Sequence, residues 1–158
     1  MTNFPILSNK EKKELIDLAN EAADRAREAI LPYFRQNIDV SNKDEQAYDP
    51  VTEADKAAEN AIRKVISLSR PHDGIWGEET GELASSTGFR WVIDPIDGTR
   101  SFISGTPTWG VLISLEQIGS GPILGIIDQP YIRERFIGGL GISEVRGPLG
   151  VRSLKASE

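Results

Sequence analysis

Two stretches in the first half of the chain repeat apolar residues at the spacing of an α-helix. The first follows the capping pattern Ser8-Asn-Lys-Glu11 and contains Leu15, Leu18, Ala19, Ala22, Ala26, Ile30 and Phe34. The second opens at Thr52-Glu-Ala-Asp55 and contains Ala54, Ala57, Ala58, Ala61, Ile62, Val65 and Ile66. We therefore predict two long amphipathic helices, with Asp55 as a capping residue at the third position of the second.

After residue 74 the pattern changes to short apolar runs of β-prone residues. The runs cover residues 75–77, 91–93, 109–115, 123–128 and 135–138, and turn residues separate them. The last two runs form a hairpin pattern. Hairpin strands after two helices predict an α+β fold, with the two long helices packed on a largely antiparallel sheet. Beyond Gly139 the pattern weakens, and we expect no further regular element.

Composition narrows the function classes. The 158 residues suit one domain or part of a larger protein, and 39% of them are hydrophobic. The net charge of −6 and the absence of a basic cluster argue against a nucleic-acid partner. Without cysteine, and with His72 as the only histidine in a turn sequence, zinc-thiolate and multi-histidine sites are excluded. No signal peptide or membrane span is visible, so we expect no membrane partner and a cytoplasmic location.

The stretch Trp91-Val-Ile-Asp94-Pro-Ile-Asp97-Gly-Thr99 is the strongest candidate for chemistry. Pro95 cannot donate to a β-ladder, so we expect the strand to end there and both aspartates to lie on an irregular loop. Gly98 and Thr99 open a possible short helix, whose free amides suit an anion such as phosphate. Ordinary turn and capping chemistry is the alternative explanation for each dipeptide, but it explains the combination less well.

The candidate ligands are all hard oxygen donors. Asp94, Asp97 and one glutamate of the pair Glu78-Glu79 favour magnesium, manganese or calcium, and magnesium is our prediction. Adjacent residues of an extended segment point to opposite sides, so only one glutamate would face the aspartates. Asp94 would bridge two ions, and the Ile96 carbonyl and Asp97 would complete their separate shells.

Thr99 and the neighbouring amides complete this prediction. The Gly98 and Thr99 amides would hold a phosphate group. A Thr99 hydroxyl near a carboxylate, either Asp55 or Glu78, would orient an attacking water. None of the residues looks like an activated nucleophile, so no covalent phosphoenzyme is expected.

Three separated motifs resemble the magnesium-dependent inositol monophosphatase superfamily. They are Asp49-Pro-Val-Thr52-Glu-Ala-Asp55, Glu78-Glu79 and Asp94-Pro-Ile-Asp97-Gly-Thr99, and they occur in the family's order. Within the superfamily, three further segments resemble the histidinol-phosphatase branch, which acts in histidine biosynthesis. These segments are Thr99-Arg-Ser-Phe-Ile-Ser-Gly105, Asp128-Gln-Pro130 and Glu134-Arg-Phe-Ile-Gly138.

The resemblance implies a phosphate monoester hydrolase that uses metal-activated water and a small phosphate ester as substrate. The implied roles assign the metals to Glu78, Asp94, the Ile96 carbonyl and Asp97. Water is positioned by Glu78 and Thr99, with Asp55 supporting Thr99, and phosphate is bound at Gly98 and Thr99. Glu79 matches the motif's second acid, and Lys43 matches a basic residue of a metal-binding loop with stretched spacing.

The resemblance covers only the family's N-terminal half. It implies that residues 1–158 are the metal- and phosphate-binding domain, that the α/β domain with a Trp-Asp motif is absent, and that homodimers are possible. We therefore expect weak binding of one magnesium, poor turnover and an apolar face open to water. The alternatives are an inositol or nucleotide phosphatase, a non-catalytic remnant or interaction module, and a domain that calcium or magnesium stabilises.

Overall fold

The structure is a computed structural model that describes residues 6–36, 40–42 and 50–155. Two long helices precede the main sheet. Their bounds are Asn9–Ile30 for α1 and Glu53–Ser69 for α2, with a 3-10 turn at Leu31–Tyr33 after α1. A short third helix, α3, covers Thr99–Ile103. Among the described residues, no helix is both long enough and apolar enough to cross a bilayer.

Each long helix begins with a reciprocal capping pair. The Ser8 hydroxyl accepts from the Glu11 amide, and the Glu11 carboxylate accepts from the Ser8 amide at 2.7 Å. Thr52 and Asp55 repeat the arrangement at α2, where the Asp55 carboxylate accepts from the Thr52 amide at 2.9 Å. These bonds satisfy amides that a helix start otherwise leaves without partners. Both helices and both caps are as the sequence predicts.

The strands form a two-stranded and an eight-stranded sheet. Their bounds are Val40–Asn42 (β1), Pro50–Thr52 (β2), Gly74–Gly77 (β3), Gly81–Leu83 (β4), Phe89–Asp97 (β5), Gly110–Gln117 (β6), Gly121–Gln129 (β7), Glu134–Gly139 (β8), Ile142–Gly147 (β9) and Gly150–Ser153 (β10). β1 pairs with β2, and the large sheet has the order β10-β9-β8-β7-β6-β5-β3-β4. Only β3 and β5 run parallel within it. The α+β class and the largely antiparallel sheet are confirmed.

The prediction that regular structure ends near Gly139 is wrong. β9 pairs with β8 and β10 pairs with β9, both antiparallel. Gly141 and Gly150 take positive φ values of 91° and 97° at the turns that begin these strands, and Val145 of β9 is buried in the sheet. The frequent glycines therefore mark turns between strands, because glycine adopts left-handed turn conformations without a Cβ clash.

One face of the sheet packs on α1 and α2 to form the core. The side chains that alternate toward the helices are buried, among them Trp91, Ile93, Ile113, Leu115 and Ile126. The intervening residues, such as Val92, Leu112 and Ile127, line an open apolar groove of about 600 Å³. Strand alternation thus gives the sheet a helix-covered face and an open face, and both faces carry apolar side chains.

A buried ion network ties α1 to the sheet. Asp128 of β7 is fully buried and accepts from Arg27 of α1 at 2.6 Å and from Arg135 of β8 at 2.8 Å. Arg135 also donates to Asp24 at 2.7 Å and to the Asn20 side chain at 3.0 Å. Because a buried carboxylate is costly unless it is paired, this network holds α1 in a defined position over β7 and β8.

Candidate functional site

The candidate residues converge where β5 ends. Asp94 is aligned with Leu112 of β6, whereas Asp97 is aligned with Gly110, so β5 has one residue more than β6 over this interval. Such an extra residue is a β-bulge. Pro95 lies in this bulge, where its missing N–H interrupts no ladder bond. The prediction that Pro95 ends the strand is therefore wrong, because pairing resumes at Asp97.

Glu78 reaches the same place from the neighbouring strand. β3 runs parallel to β5 with Gly77 aligned to Ile93, so Glu78 follows in line with Asp94. The Glu78 amide donates to the Ile93 carbonyl at 3.3 Å, and its side chain forms a hydrogen bond with Asp94. Of the glutamate pair, Glu78 faces the aspartates, whereas the amide of Glu79 points toward α2. Glu78 is therefore the glutamate that contacts Asp94, and the expectation that the Glu79 side chain faces away stays a prediction.

The electrostatics of Asp94 are unusual. Burial, together with the charge and hydrogen bond of Glu78 and the charge of Asp97, raises its pKa to about 7, and a hydrogen bond from the Ile96 amide acts in the opposite direction. Its Oδ1 atom is buried and has no hydrogen-bond partner within the part of the chain that the structure describes. A buried oxygen without a partner next to two like charges is costly, and a cation is the group that would relieve this cost.

The donor chemistry fits a hard divalent cation, but the carboxylates do not yet form a chelate. Glu78 and Asp94 line a hollow of about 420 Å³ together with Trp76 and Val92. Among the described residues, no group of three or more aspartate, glutamate, histidine or cysteine side chains is close enough to hold a metal ion as it stands. Oxygen donors without nitrogen or sulfur suit Mg²⁺ or Mn²⁺, so the side chains would have to rotate to ligate one ion together.

A tight turn follows the carboxylates. Gly98 takes φ +88° and precedes α3, and its carbonyl accepts from the Phe102 amide at 3.0 Å. A Cβ at this position would lie 2.9 Å from the Thr108 carbonyl oxygen, so only glycine fits. The Thr99 hydroxyl donates to the Ile96 carbonyl at 3.0 Å. The predicted short helix is confirmed, and the first residue of α3 lies beside the carboxylates.

Asp55 lies in the first turn of α2. It is 1% exposed, and its Oδ2 accepts from the Thr52 amide and hydroxyl, which is the predicted capping role. Helix α3 contacts β2, whose last residue is Thr52. The starts of α2 and α3 are therefore neighbours. Lys43 and Asp49 lie outside the described residues.

Sequence reasoning missed Glu59, a fully buried residue of α2. Burial alone would raise its pKa, but hydrogen bonds from Thr80, the Glu79 amide and Arg63 outweigh that cost and hold the pKa below its ordinary value. The available signal was a glutamate one turn after Asp55, between the apolar positions Ala58 and Ile62. A charged residue on the buried stripe of a helix indicates a specific partner.

Comparison with known proteins connects this geometry to a family. The profile described as the inositol monophosphatase family matches residues 11–147. The chain is 48% identical over 122 residues to the histidinol-phosphatase of Chlorobaculum parvum, covering 77% of this chain and 46% of that protein. It is 44% identical over 144 residues to the bifunctional phosphatase IMPL2, chloroplastic, of Arabidopsis thaliana, covering 85% of this chain and 41% of that protein. The chain thus spans about half the length of these curated relatives.

A solved structure of an inositol monophosphatase is also similar to this chain. The inositol monophosphatase from Zymomonas mobilis superposes with a TM-score of 0.73 at 37% identity, over 96% of this chain and 56% of that chain. That enzyme is described as having a flexible region at its active site. The similarity therefore covers nearly all of this chain, including the strands and helices that bring Glu78, Asp94, Asp97 and Thr99 together.

Proposed function

Since this chain belongs to the inositol monophosphatase family, we propose that it forms the metal- and phosphate-binding part of a magnesium-dependent phosphate monoester hydrolase. The observation that carries the proposal is the convergence of Glu78, Asp94 and Asp97 at the ends of two parallel strands, next to the Gly98–Thr99 turn. The buried Asp94 Oδ1 atom, which no described residue contacts by a hydrogen bond, supports a cation at this place.

The residues have distinct roles in this proposal. Glu78, Asp94, Asp97 and the Ile96 carbonyl would hold the Mg²⁺ ions, with Mn²⁺ as a substitute. Family members use two or more ions, and this chain by itself is expected to bind one of them weakly. When bound, these cations neutralise phosphate charge and lower the pKa of a coordinated water. The amides at Gly98 and Thr99 donate to phosphate oxygens.

Water attacks the phosphorus directly in this mechanism. Thr99 and Glu78 each offer an oxygen that can accept a hydrogen bond from the attacking water, and the Glu78 carboxylate is the one of the two that can take up its proton. Asp55, at the start of α2, supports Thr99 from the side of the neighbouring helix. The P–O bond to the leaving alcohol breaks as the new P–O bond to water forms, and the products are inorganic phosphate and the free alcohol.

Histidinol phosphate is the proposed substrate. The chain is 48% identical to a histidinol-phosphatase and 37% identical to an inositol monophosphatase, over 77% and 96% of its length. A substrate panel of histidinol phosphate, inositol 1-phosphate and a nucleoside monophosphate, each with and without Mg²⁺, tests this choice. Faster release of phosphate from either of the last two would reassign the substrate.

The central experiment measures phosphate release from histidinol phosphate by the 158-residue chain, using Asp97→Asn as the variant that loses a ligand. Asp73→Asn is the matched control, since Asp73 is a buried aspartate at the opposite end of β3. We expect Mg²⁺-dependent release that Asp97→Asn abolishes and Asp73→Asn retains. Phosphate release that persists in Asp97→Asn, or that does not depend on Mg²⁺, would refute the assignment of this site.

The second candidate function is a metal-binding module without turnover of its own. The chain covers 41% and 46% of the length of the two curated relatives, so the turnover of a whole relative is not carried over to it without a test. In that case the chain binds Mg²⁺ and inorganic phosphate in calorimetric titrations, but releases no phosphate under conditions in which a full-length relative does.

A further inference from the structure

Glu59 of α2 binds the segment that carries the candidate metal ligand Glu78. Its Oε2 accepts from the Glu79 amide at 2.7 Å, and its Oε1 accepts from the Thr80 amide at 3.1 Å and from the Thr80 hydroxyl. Arg63, one helical turn later, donates to the same Oε1 at 2.8 Å. Every one of these donors except Arg63 belongs to the turn after β3, so the carboxylate is used mainly to hold that turn.

The Glu59 carboxylate lies so close to β3 that a side chain at position 77 would have to displace it. A Cβ on Gly77 would lie 2.1 Å from the Glu59 Oε1 and 2.7 Å from Arg63 Nη2. Gly77 is paired with Ile93 on one side and with Gly81 on the other. The Glu59 carboxylate therefore lies directly on the strand backbone, and Arg63 adds a hydrogen bond to the Gly81 carbonyl.

These contacts fix the residues on both sides of Glu78. On its N-terminal side, Gly77 is held in the ladder with β5, and the Glu78 amide itself donates to the Ile93 carbonyl at 3.3 Å. On its C-terminal side, the amides of Glu79 and Thr80 are bound by Glu59. The backbone of Glu78 is thus held from both directions, while its side chain reaches Asp94 on the open face.

We propose that Glu59 is a positioning residue, which sets the backbone of the Glu78–Thr80 turn and thereby places the Glu78 carboxylate where it can ligate a divalent cation with Asp94. This inference rests on the proposed function of the site. Glu59 itself lies on α2, on the helix-covered side of β3 and away from Asp94, so it acts on the cation only through the turn. Residues that orient metal ligands in this way typically affect metal affinity roughly 10- to 100-fold.

The variant Glu59→Gln tests the proposal with little change of shape. Glutamine keeps one acceptor oxygen but places an amide nitrogen against a backbone N–H, so it loses at least one of the bonds that hold the turn. Asp73→Asn is the matched control. Asp73 is also a buried carboxylate with several donors, namely Arg70, Trp91 and Thr87, but it lies at the opposite end of β3.

The readouts are Mg²⁺ affinity by titration calorimetry, thermal unfolding without Mg²⁺, and hydrogen exchange at the Glu79 and Thr80 amides. Both variants are expected to lower the melting temperature. Only Glu59→Gln is expected to weaken Mg²⁺ binding at least tenfold and to speed exchange at the two amides. Thr80→Ala, which removes a single donor from an exposed residue, gives a second, milder test and is expected to weaken Mg²⁺ binding severalfold.

Three results would overturn the proposal. One is Mg²⁺ affinity within twofold of wild type in a folded Glu59→Gln chain, or in Thr80→Ala if Glu59→Gln does not fold. Another is an equal loss of affinity in Asp73→Asn, which would show a general effect of destabilisation. The third is a wild-type chain that binds no Mg²⁺, and this result alone would also remove the proposed function, which distinguishes the two failures.

Discussion

Replacing Asp94 by asparagine is expected to stabilise the metal-free protein while removing a proposed metal ligand. Asp94 is partly buried beside Glu78 and Asp97, and burial together with these charges raises its pKa from 3.8 to about 7. At neutral pH and above, folding therefore partly buries the charged Asp94 carboxylate beside two other carboxylates, which destabilises the folded chain. Asparagine has nearly the same shape, carries no charge and can donate a hydrogen bond to the Glu78 carboxylate.

The size of the effect follows from the pKa difference between the folded and unfolded chain. Below pH 3.8 Asp94 holds its proton in both states, so it has no effect on stability. As the pH rises from 3.8 to about 7, the unfolded chain loses this proton first and the folded chain becomes less stable. The difference between these two pKa values corresponds to at most about 4 kcal/mol of unfolding free energy. Solvent screening of a partly exposed group reduces this to about 2 kcal/mol.

Urea denaturation in the presence of EDTA, followed by tryptophan fluorescence, measures the difference. Asp94→Asn is expected to be more stable than wild type by about 2 kcal/mol at pH 8 and nearly equal to it at pH 4. Asp97→Asn is the control, because Asp97 is exposed and its replacement relieves only part of the repulsion. A gain that does not change with pH, or a loss of stability at pH 8, would refute the electrostatic argument.

Three further predictions concern the same framework. Below pH 7, Mg²⁺ binding to the wild-type chain is expected to release about one proton from Asp94. Titration calorimetry in buffers of different ionisation heat measures this release. An equal release of protons in Asp94→Asn would contradict the prediction. Asp128→Asn removes the buried partner of Arg27 and Arg135 and is expected to cost about 3 kcal/mol in urea denaturation; an unchanged midpoint would be evidence against the network. Gly98→Ala places a Cβ within 2.9 Å of a carbonyl oxygen at φ +88°. It is therefore expected to lower the free energy of unfolding by about 1–3 kcal/mol and to weaken the binding of inorganic phosphate. An unchanged melting temperature and unchanged phosphate titrations would count against this prediction.

Local patterns predicted the helices well because their signals are contained within a few turns of chain. The capping pairs Ser8–Glu11 and Thr52–Asp55 formed as expected. Every apolar position predicted for α1 is buried. In α2 the prediction was less specific, because Ala57 and Ala61 are only partly buried, whereas Glu59 takes a fully buried position on that helix.

Strand boundaries were harder to predict because they depend on the neighbouring strand. Pro95 was expected to end β5, but a bulge opposite Leu112 and Gly110 accommodates it. β9 and β10 were missed because each is stabilised by pairing with its neighbour, whereas the glycines around the turns that flank them obscure the strand pattern in the sequence. The parallel pairing of β3 with β5 was also not foreseen, since it joins residues that are not linked by a hairpin.

The sequence alone determined the α+β class, the two helices and the set of oxygen donors, because helical periodicity, capping pairs and side-chain chemistry are properties of short segments. The family resemblance already assigned Glu78 rather than Glu79 to the metal. Only the tertiary structure decided how Glu78 comes to contact Asp94, and that Glu59 holds the Glu78–Thr80 turn. The reason is that both results depend on the alignment of β3 with β5 and on the packing of α2 over Gly77. Such contacts between distant segments are set by the packing of the whole core, and no local pattern specifies them.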